Sequence, residues 1–197
     1  MAYRLGLTGS IGMGKSTTAK LFEEEGCAVW DADAAVHRLY LEDGLAVGPM
    51  SEAFPEAVIA GAVSREKLKE IIGSDPRKLD DIEKIVHPLV AEDRARFIEN
   101  ARADIIVLDI PLLFETGGEA HMDGVVVVSV DEETQRKRVL ERGTMSEDEF
   151  EAIKSKQMPD AEKRKRADFI VTTDTLEHAA AQVKTIVKQI RSELDNA

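Results

Sequence analysis

The stretch Gly9-Ser10-Ile11-Gly12-Met13-Gly14-Lys15-Ser16 has the spacing G-x-x-x-x-G-K-[ST] of a phosphate-binding P-loop. Each residue type has a physical reason. Glycines let the backbone turn sharply and bring N–H groups up to phosphate oxygens. The helix that follows points its positive end at the anion. Lys15 adds a cation near the β- and γ-phosphates, and the Ser16 hydroxyl suits Mg²⁺. Gly12, Met13, Gly14, Lys15, Ser16 and Thr17 are thus the candidate ATP contacts. The glycines at 9, 12 and 14 do not fit G-x-G-x-x-G, which sets aside a Rossmann dehydrogenase.

Working outward, strand and helix signals alternate, as in an α/β fold with a mostly parallel sheet. Residues 3–8 read as a strand and 15–25 as a helix stopped near Gly26. Residues 28–30 read as a second strand and 31–40 as a helix. Residues 42–100 are helical and charged, with no convincing strand. There Ser64 suits a helix cap with Gly73 beyond the end, and Ser74 or Asp75 suits the next cap. Pro88 predicts a kink or a new helix start. Residues 105–109 and 124–130 are buried-strand patterns. Asp131 caps a helix over 132–141, Ser146 to Glu149 is a capping box, and 169–171 is the last strand. The final helix spaces Leu176, Ala180, Val183, Val187, Ile190 and Leu194 as one core face. The expected architecture is a P-loop kinase domain with a five-stranded, mostly parallel sheet flanked by helices. Its core is 1–41, 101–130 and 166–197, with an inserted helical substrate subdomain at 42–100 and a helical lid at 131–165.

The chain has 197 residues, 43% hydrophobic and 32% charged, with a formal charge of −12. Such an acidic surface disfavours nucleic acid and anionic membranes. A polyphosphate must therefore be met by local clusters of Lys, Arg and backbone N–H groups. The single cysteine, Cys27, permits no intrachain disulfide and suits a reducing compartment. In the run Cys27-Ala28-Val29-Trp30 it reads as a buried small hydrophobe. No apolar stretch approaches the ~20 residues of a membrane span, and a cleaved leader would cut into the P-loop. A cytoplasmic protein, monomeric or weakly self-associating, is expected.

A P-loop alone does not say which reaction. Switch GTPases usually carry N-K-x-D, absent here, and large motor ATPases need more chain. Small kinases need a carboxylate near the acceptor hydroxyl, a subdomain gripping the acceptor and an Arg-bearing lid. Asp31-Ala32-Asp33 follows a strand whose end lines the crevice of a parallel sheet. One aspartate is expected to cap the next helix, the other to act as base. Asp109 ends another strand and is either a Mg²⁺ carboxylate or a loop residue with no metal role. Arg136, Arg138 and Arg142 sit on the helix after Asp131, with Arg138 and Arg142 four apart on one face. They suit a lid, though charged helices are usually solvated faces. The tetrad Lys163-Arg164-Lys165-Arg166 reads mostly as a solvated helix face.

As an ordered set, these residues resemble the dephospho-coenzyme A kinase family from about Leu5 to the last helix. The set comprises Leu7 to Thr17, Asp31-Ala32-Asp33, His87-Pro88, Pro111-Leu112-Leu113-Phe114-Glu115, Gln157-Met158-Pro159, Glu162-Lys163-Arg164 and Ala167-Asp168. The resemblance implies that ATP, with Mg²⁺, phosphorylates the ribose 3′-hydroxyl of dephospho-CoA. It implies Asp33 as base, with Lys15 and Arg142 (the lid arginine) in the catalytic set. It further implies His87, Leu112, Leu113, Phe114, Glu115 and Gln157 as acceptor contacts; Ser16, from the P-loop, and Asp109, from its strand end, are the candidate Mg²⁺ contacts. Two departures stand out. Thr172-Thr173-Asp174-Thr175 replaces a segment where many members carry Asn. Ile153 stands where many carry Arg, with Lys154 or Lys156 as substitute charges. The alternatives are a nucleoside or nucleotide kinase, and a nucleotide-dependent regulator that phosphorylates nothing.

Overall fold

The computed structural model describes residues 2–196. In chain order its elements are β1 (Tyr3–Thr8), α1 (Lys15–Glu24), β2 (Ala28–Asp31), α2 (Ala32–Tyr40), α3 (Val47–Ala53), β3 (Val58–Ile59), β4 (Ala62–Val63), α4 (Arg65–Ser74) and α5 (Lys78–Asn100). There follow β5 (Ile105–Asp109), β6 (Gly124–Ser129), α6 (Glu132–Glu141), α7 (Glu147–Lys156), α8 (Asp160–Arg166), β7 (Phe169–Thr172) and α9 (Leu176–Asp195). The chain divides into two compact units. One comprises the chain up to Trp30 with everything from Ala101 on; the other is Asp31–Asn100.

The first unit is built on a five-stranded sheet of order β2-β5-β1-β6-β7. β1 runs parallel to both neighbours, with Leu5 opposite Val107 on one side and Gly124 on the other. β7 runs parallel to β6, Val126 facing Phe169. Every residue of β5 and β6 is buried, which is why both read as unbroken apolar runs rather than alternations. Period-two geometry still sorts them by face. Val126 and Val128 pack with Leu5, Leu7, Phe22 and Val187 under α1 and α9, while Val125 and Val127 pack with Leu113 and Phe114 on the other side. On α9 the core face is Ala179, Val183, Ile186, Val187 and Ile190. Leu176, expected on that face, is 57% exposed; it opens the helix and precedes the region where α9 meets the sheet.

The sheet face also buries Cys27. Burial pushes its thiol up to about 11, against a smaller opposing pull from Arg191. At pH 8 a shift of that size leaves roughly 100-fold less thiolate than an ordinary cysteine. Iodoacetamide at pH 8 should therefore leave the folded protein unmodified and label it rapidly in urea. Equal rates in both would show Cys27 open to solvent.

The second unit has its own core, in which Leu39, Tyr40, Met50, Phe54, Ile82 and Val86 meet. Residues 31–41, expected with the sheet, belong here because α2 turns its buried side chains into this cluster. A two-stranded antiparallel ladder, β3 with β4, occupies ground expected to be strandless. Ala60 and Gly61 at its turn have φ of 50° and 78°, the positive pair a two-residue hairpin needs. Ser64 Oγ accepts from Lys67 N–H at 3.3 Å and so caps α4, which runs through Gly73 to Ser74 instead of stopping before the glycine. Pro88 lies inside one continuous helix, α5, and starts no new one.

Candidate active site

The P-loop joins β1 to α1. Gly14, at the N-cap of α1, has φ 90° and ψ 18°, a left-handed conformation that glycine adopts without Cβ strain. A side chain there would also press on Thr173, whose Cβ lies 3.1 Å from where the added carbon would stand. Within the loop Met13 N–H donates to Ser10 O at 3.2 Å. Thr18 Oγ1, buried, donates to Gly14 O at 3.1 Å. Lys15 Nζ is paired with Asp109 Oδ1. Asp109 is 1% exposed at the end of β5, so the loop lysine and the candidate metal carboxylate are brought together. Ser16 and Thr17 are exposed on the first turn of α1.

A cavity of about 230 Å³ opens beside this turn, lined by Gly14, Thr17, Arg138, Arg142, Thr173 and Thr175 among others. Arg138 and Arg142 therefore do share a face, and that face looks onto the P-loop. Arg136 leaves it and pairs with Glu147 on α7. Arg138 donates from Nη2 to Thr173 O at 2.5 Å and from Nη1 to Thr173 Oγ1 at 3.1 Å. Thr173 Oγ1 donates to Met13 O at 2.7 Å. Thr173 lies in the 172–175 loop that the sequence marks as a departure with its nucleotide contacts left open, but its contact with the P-loop carbonyl could not be read there, since a loop hydroxyl after a strand carries no motif.

The segment from α6 to α8 touches the loop at a second place. Gln157, expected at the acceptor, uses its Oε1 to accept from Ile11 N–H at 3.1 Å. Gln135 donates from Nε2 to Ile11 O at 2.8 Å. Val130 N–H contacts Met13 Sδ at 3.2 Å. Ile153 is 37% exposed, and Lys154, one of the two substitute charges considered there, pairs with Glu132 at 3.0 Å.

The basic tetrad corrects the expectation of a solvated face at one residue. Lys163 is 0% exposed and lies 2.9 Å from Glu115 Oε1. That oxygen also accepts from Met158 N–H at 2.8 Å. Burial raises the Glu115 carboxyl, but Lys163 and the Met158 amide outweigh it and hold the group below the usual glutamate range. Arg166 pairs with Glu119 and lies over the Phe114 ring, 4.6 Å from its centroid. Leu113 and Phe114 are core residues, 0% and 5% exposed. Leu113 thus offers no surface to a ligand, against its expected role as an acceptor wall, because the turn after β5 folds it under the sheet. Leu112 alone of the three is open, at 42%.

In the second unit, of the two candidate aspartates it is Asp31 that caps the helix. Asp31 Oδ1 accepts from Ala34 N–H at 2.9 Å and caps α2. Asp33, in the first turn, is exposed. His87 is exposed on α5. Among the described residues there is no cluster of three or more His, Cys, Asp or Glu fit to hold a metal. A magnesium ion here would rely on phosphates and waters, with Ser16 and Asp109 as hard oxygen donors, which is how Mg²⁺ is commonly held. No helix among them is long and apolar enough to cross a membrane.

A five-stranded sheet of mostly parallel strands, with the phosphate loop at the end of its central strand and helices flanking it, is the P-loop nucleotide-binding fold that small kinases share. The sequence goes further: residues 3–178 match the family described as dephospho-CoA kinase, and the chain belongs to that family. It is 66% identical over 192 residues to the dephospho-CoA kinase of Ruegeria pomeroyi, covering 98% of each chain. To that of Cereibacter sphaeroides it is 56% identical over 193 residues, again covering 98% of each. The crystal structure of TT1252 from Thermus thermophilus superposes with a TM-score of 0.84 at 34% identity, covering 98% of each chain.

Proposed function

We propose that the chain transfers the γ-phosphoryl group of ATP to the 3′-hydroxyl of the dephospho-CoA ribose. The products are CoA and ADP, and the step is the last of coenzyme A synthesis. The observation that carries the reading is the junction of β1 and α1. There Lys15, Ser16 and the amides of Gly12 to Thr17 adjoin a cavity floored by Gly14 and walled by Arg138 and Arg142. The nucleoside of ATP occupies that cavity, with Thr175 lining it beside the base. Lys15 exchanges Asp109 for the β- and γ-phosphates as nucleotide enters. Arg142 adds charge to the phosphate tail during transfer. Magnesium, held by Ser16 and Asp109, would neutralise charge shared by the β- and γ-oxygens.

A ribose hydroxyl is neutral and poorly acidic, so a positioned carboxylate must take its proton as the phosphoryl is transferred. Asp33 has that role. His87 on the second unit and Leu112 on the first are each exposed and suit contact with the acceptor, while Leu113, Phe114 and Glu115 act from within the fold of the first unit. The protein works in the cytoplasm on two small molecules, a reading supported by its single, buried, unpaired cysteine, Cys27, which suits a reducing compartment.

The test is ADP release in a coupled assay, with dephospho-CoA set against a panel of nucleosides and nucleotides. Stimulation of at least tenfold by dephospho-CoA alone is expected. Equal or greater stimulation by a nucleotide would assign a different acceptor. Acceptor-independent behaviour throughout would make the chain a nucleotide-driven regulator.

A further inference from the structure

The P-loop of this chain is gripped by its carbonyls. Gln135 Nε2 donates to the carbonyl of Ile11 at 2.8 Å. The Thr173 hydroxyl donates to the carbonyl of Met13 at 2.7 Å. In a trans peptide the carbonyl and the N–H of the next residue point in opposite directions. Fixing the carbonyl of Ile11 therefore fixes the direction of Gly12 N–H, and fixing that of Met13 fixes Gly14 N–H. Those two glycines have positive φ, 78° and 90°, and glycine's broad conformational range would otherwise let either peptide flip.

Both grips trace to one helix. Gln135 is 1% exposed on α6, and Arg138, three residues on, holds Thr173 through its hydroxyl and its carbonyl. The same helix is packed hard against the loop: a carbon added at Gly12 would lie 2.5 Å from Val139 Cγ2 and 3.1 Å from Gln135 O. No side chain fits at Gly12 against α6. We propose that Gln135 and Thr173 are positioning residues that aim the Gly12 and Gly14 amides at the nucleotide's phosphates, with α6 as their common strut. Neither side chain needs to touch the phosphate. Their work is done on the far side of the peptide planes, so that an anion meets preorganised donors instead of a mobile glycine loop. This deepens the reading of the nucleotide site and makes no use of the acceptor.

The test is calorimetric titration of the full chain with magnesium tripolyphosphate, which carries the phosphates without the nucleoside, and with MgATP. Thr173→Val keeps the shape and removes the hydroxyl; Gln135→Met keeps the length and removes the donor. Each should weaken both ligands by the same factor, about fivefold to tenfold, the worth of one directed hydrogen bond. Thr173→Ser, which restores a hydroxyl, should recover most of the loss seen with Thr173→Val. Circular dichroism and the fluorescence of Trp30 report that each variant is folded, and Gln135→Met carries the test if Thr173→Val is not. Folded Thr173→Val and Gln135→Met that bind tripolyphosphate within twofold of wild type would overturn the proposal. So would a Thr173→Ser as weak as Thr173→Val, or a loss confined to MgATP, which would place Thr173 against the nucleoside instead. Failure of the wild type itself to bind tripolyphosphate would sink the nucleotide-site reading, a separate outcome.

Discussion

Asp33→Asn should lower kcat by about 10²- to 10⁴-fold, the usual contribution of a positioned general base, while MgATP still binds with wild-type affinity. The substitution is close to isosteric, and it removes only the capacity to take a proton. Local structure does not depend on it. The cap of α2 is made by Asp31, through Ala34 N–H, and Asp33 is exposed in the turn beyond. A folding defect is therefore not expected, and asparagine is nearly as good as aspartate near a helix start. The split between turnover and nucleotide binding is what identifies a base: a residue that gripped the nucleotide would lose both together. Steady-state rates with saturating dephospho-CoA, set beside calorimetric titration with MgATP, make the measurement. Turnover within threefold of wild type would remove Asp33 from the chemistry.

What the sequence showed of this fold is what local spacing can carry. The P-loop, the buried runs of β5 and β6, and the caps at Ser64, Asp131 and Ser146 depend on residues a few positions apart. Features that depend on distant partners were hidden. Lys163 sits in a run of four basic residues, and nothing in that run distinguishes the one that meets Glu115, 48 positions away, from its solvated neighbours. Gln135 and Thr173 matter only because α6 and the loop after β7 close around the P-loop. Leu113 looked like a pocket wall because apolar residues after a strand serve either use, and only the turn geometry decides. The hairpin of β3 and β4 escaped because its strands have two residues each and its turn begins with Ala60, without the Asn-Gly or Asp-Gly signal.

That hidden ion pair sets the second large effect. Lys163→Met should destabilise the first unit by about 2–4 kcal/mol, at or just below the range for breaking a buried pair. The discount arises because Glu115 keeps the Met158 amide and is 18% exposed. Methionine fills the space of the lysine stem, so the loss reports the stranded carboxylate more than a cavity. The pH dependence carries a sign that distinguishes the two. In the wild type the Glu115 carboxyl is held low, despite burial, by Lys163 and the Met158 amide. Its contribution is therefore present above the unfolded carboxyl's range and is lost as pH falls through the lower folded value. In Lys163→Met, burial, the largest single influence on this carboxyl, is left opposed only by the backbone amides of Met158 and Glu115, and the carboxyl is expected to rise past its unfolded value. The folded variant then gains stability as pH falls, because protonation relieves the buried charge. The gap between the two proteins should narrow steadily from pH 7 toward pH 5. The double variant Lys163→Met with Glu115→Leu should recover part of the loss at pH 7, since no charge remains to be solvated. Urea unfolding followed by Trp30, the chain's single tryptophan and a member of the first unit, reads all three. A gap that stayed constant from pH 7 to pH 5, or a double variant less stable than Lys163→Met, would show that Lys163 serves the core by its packing and not by its charge.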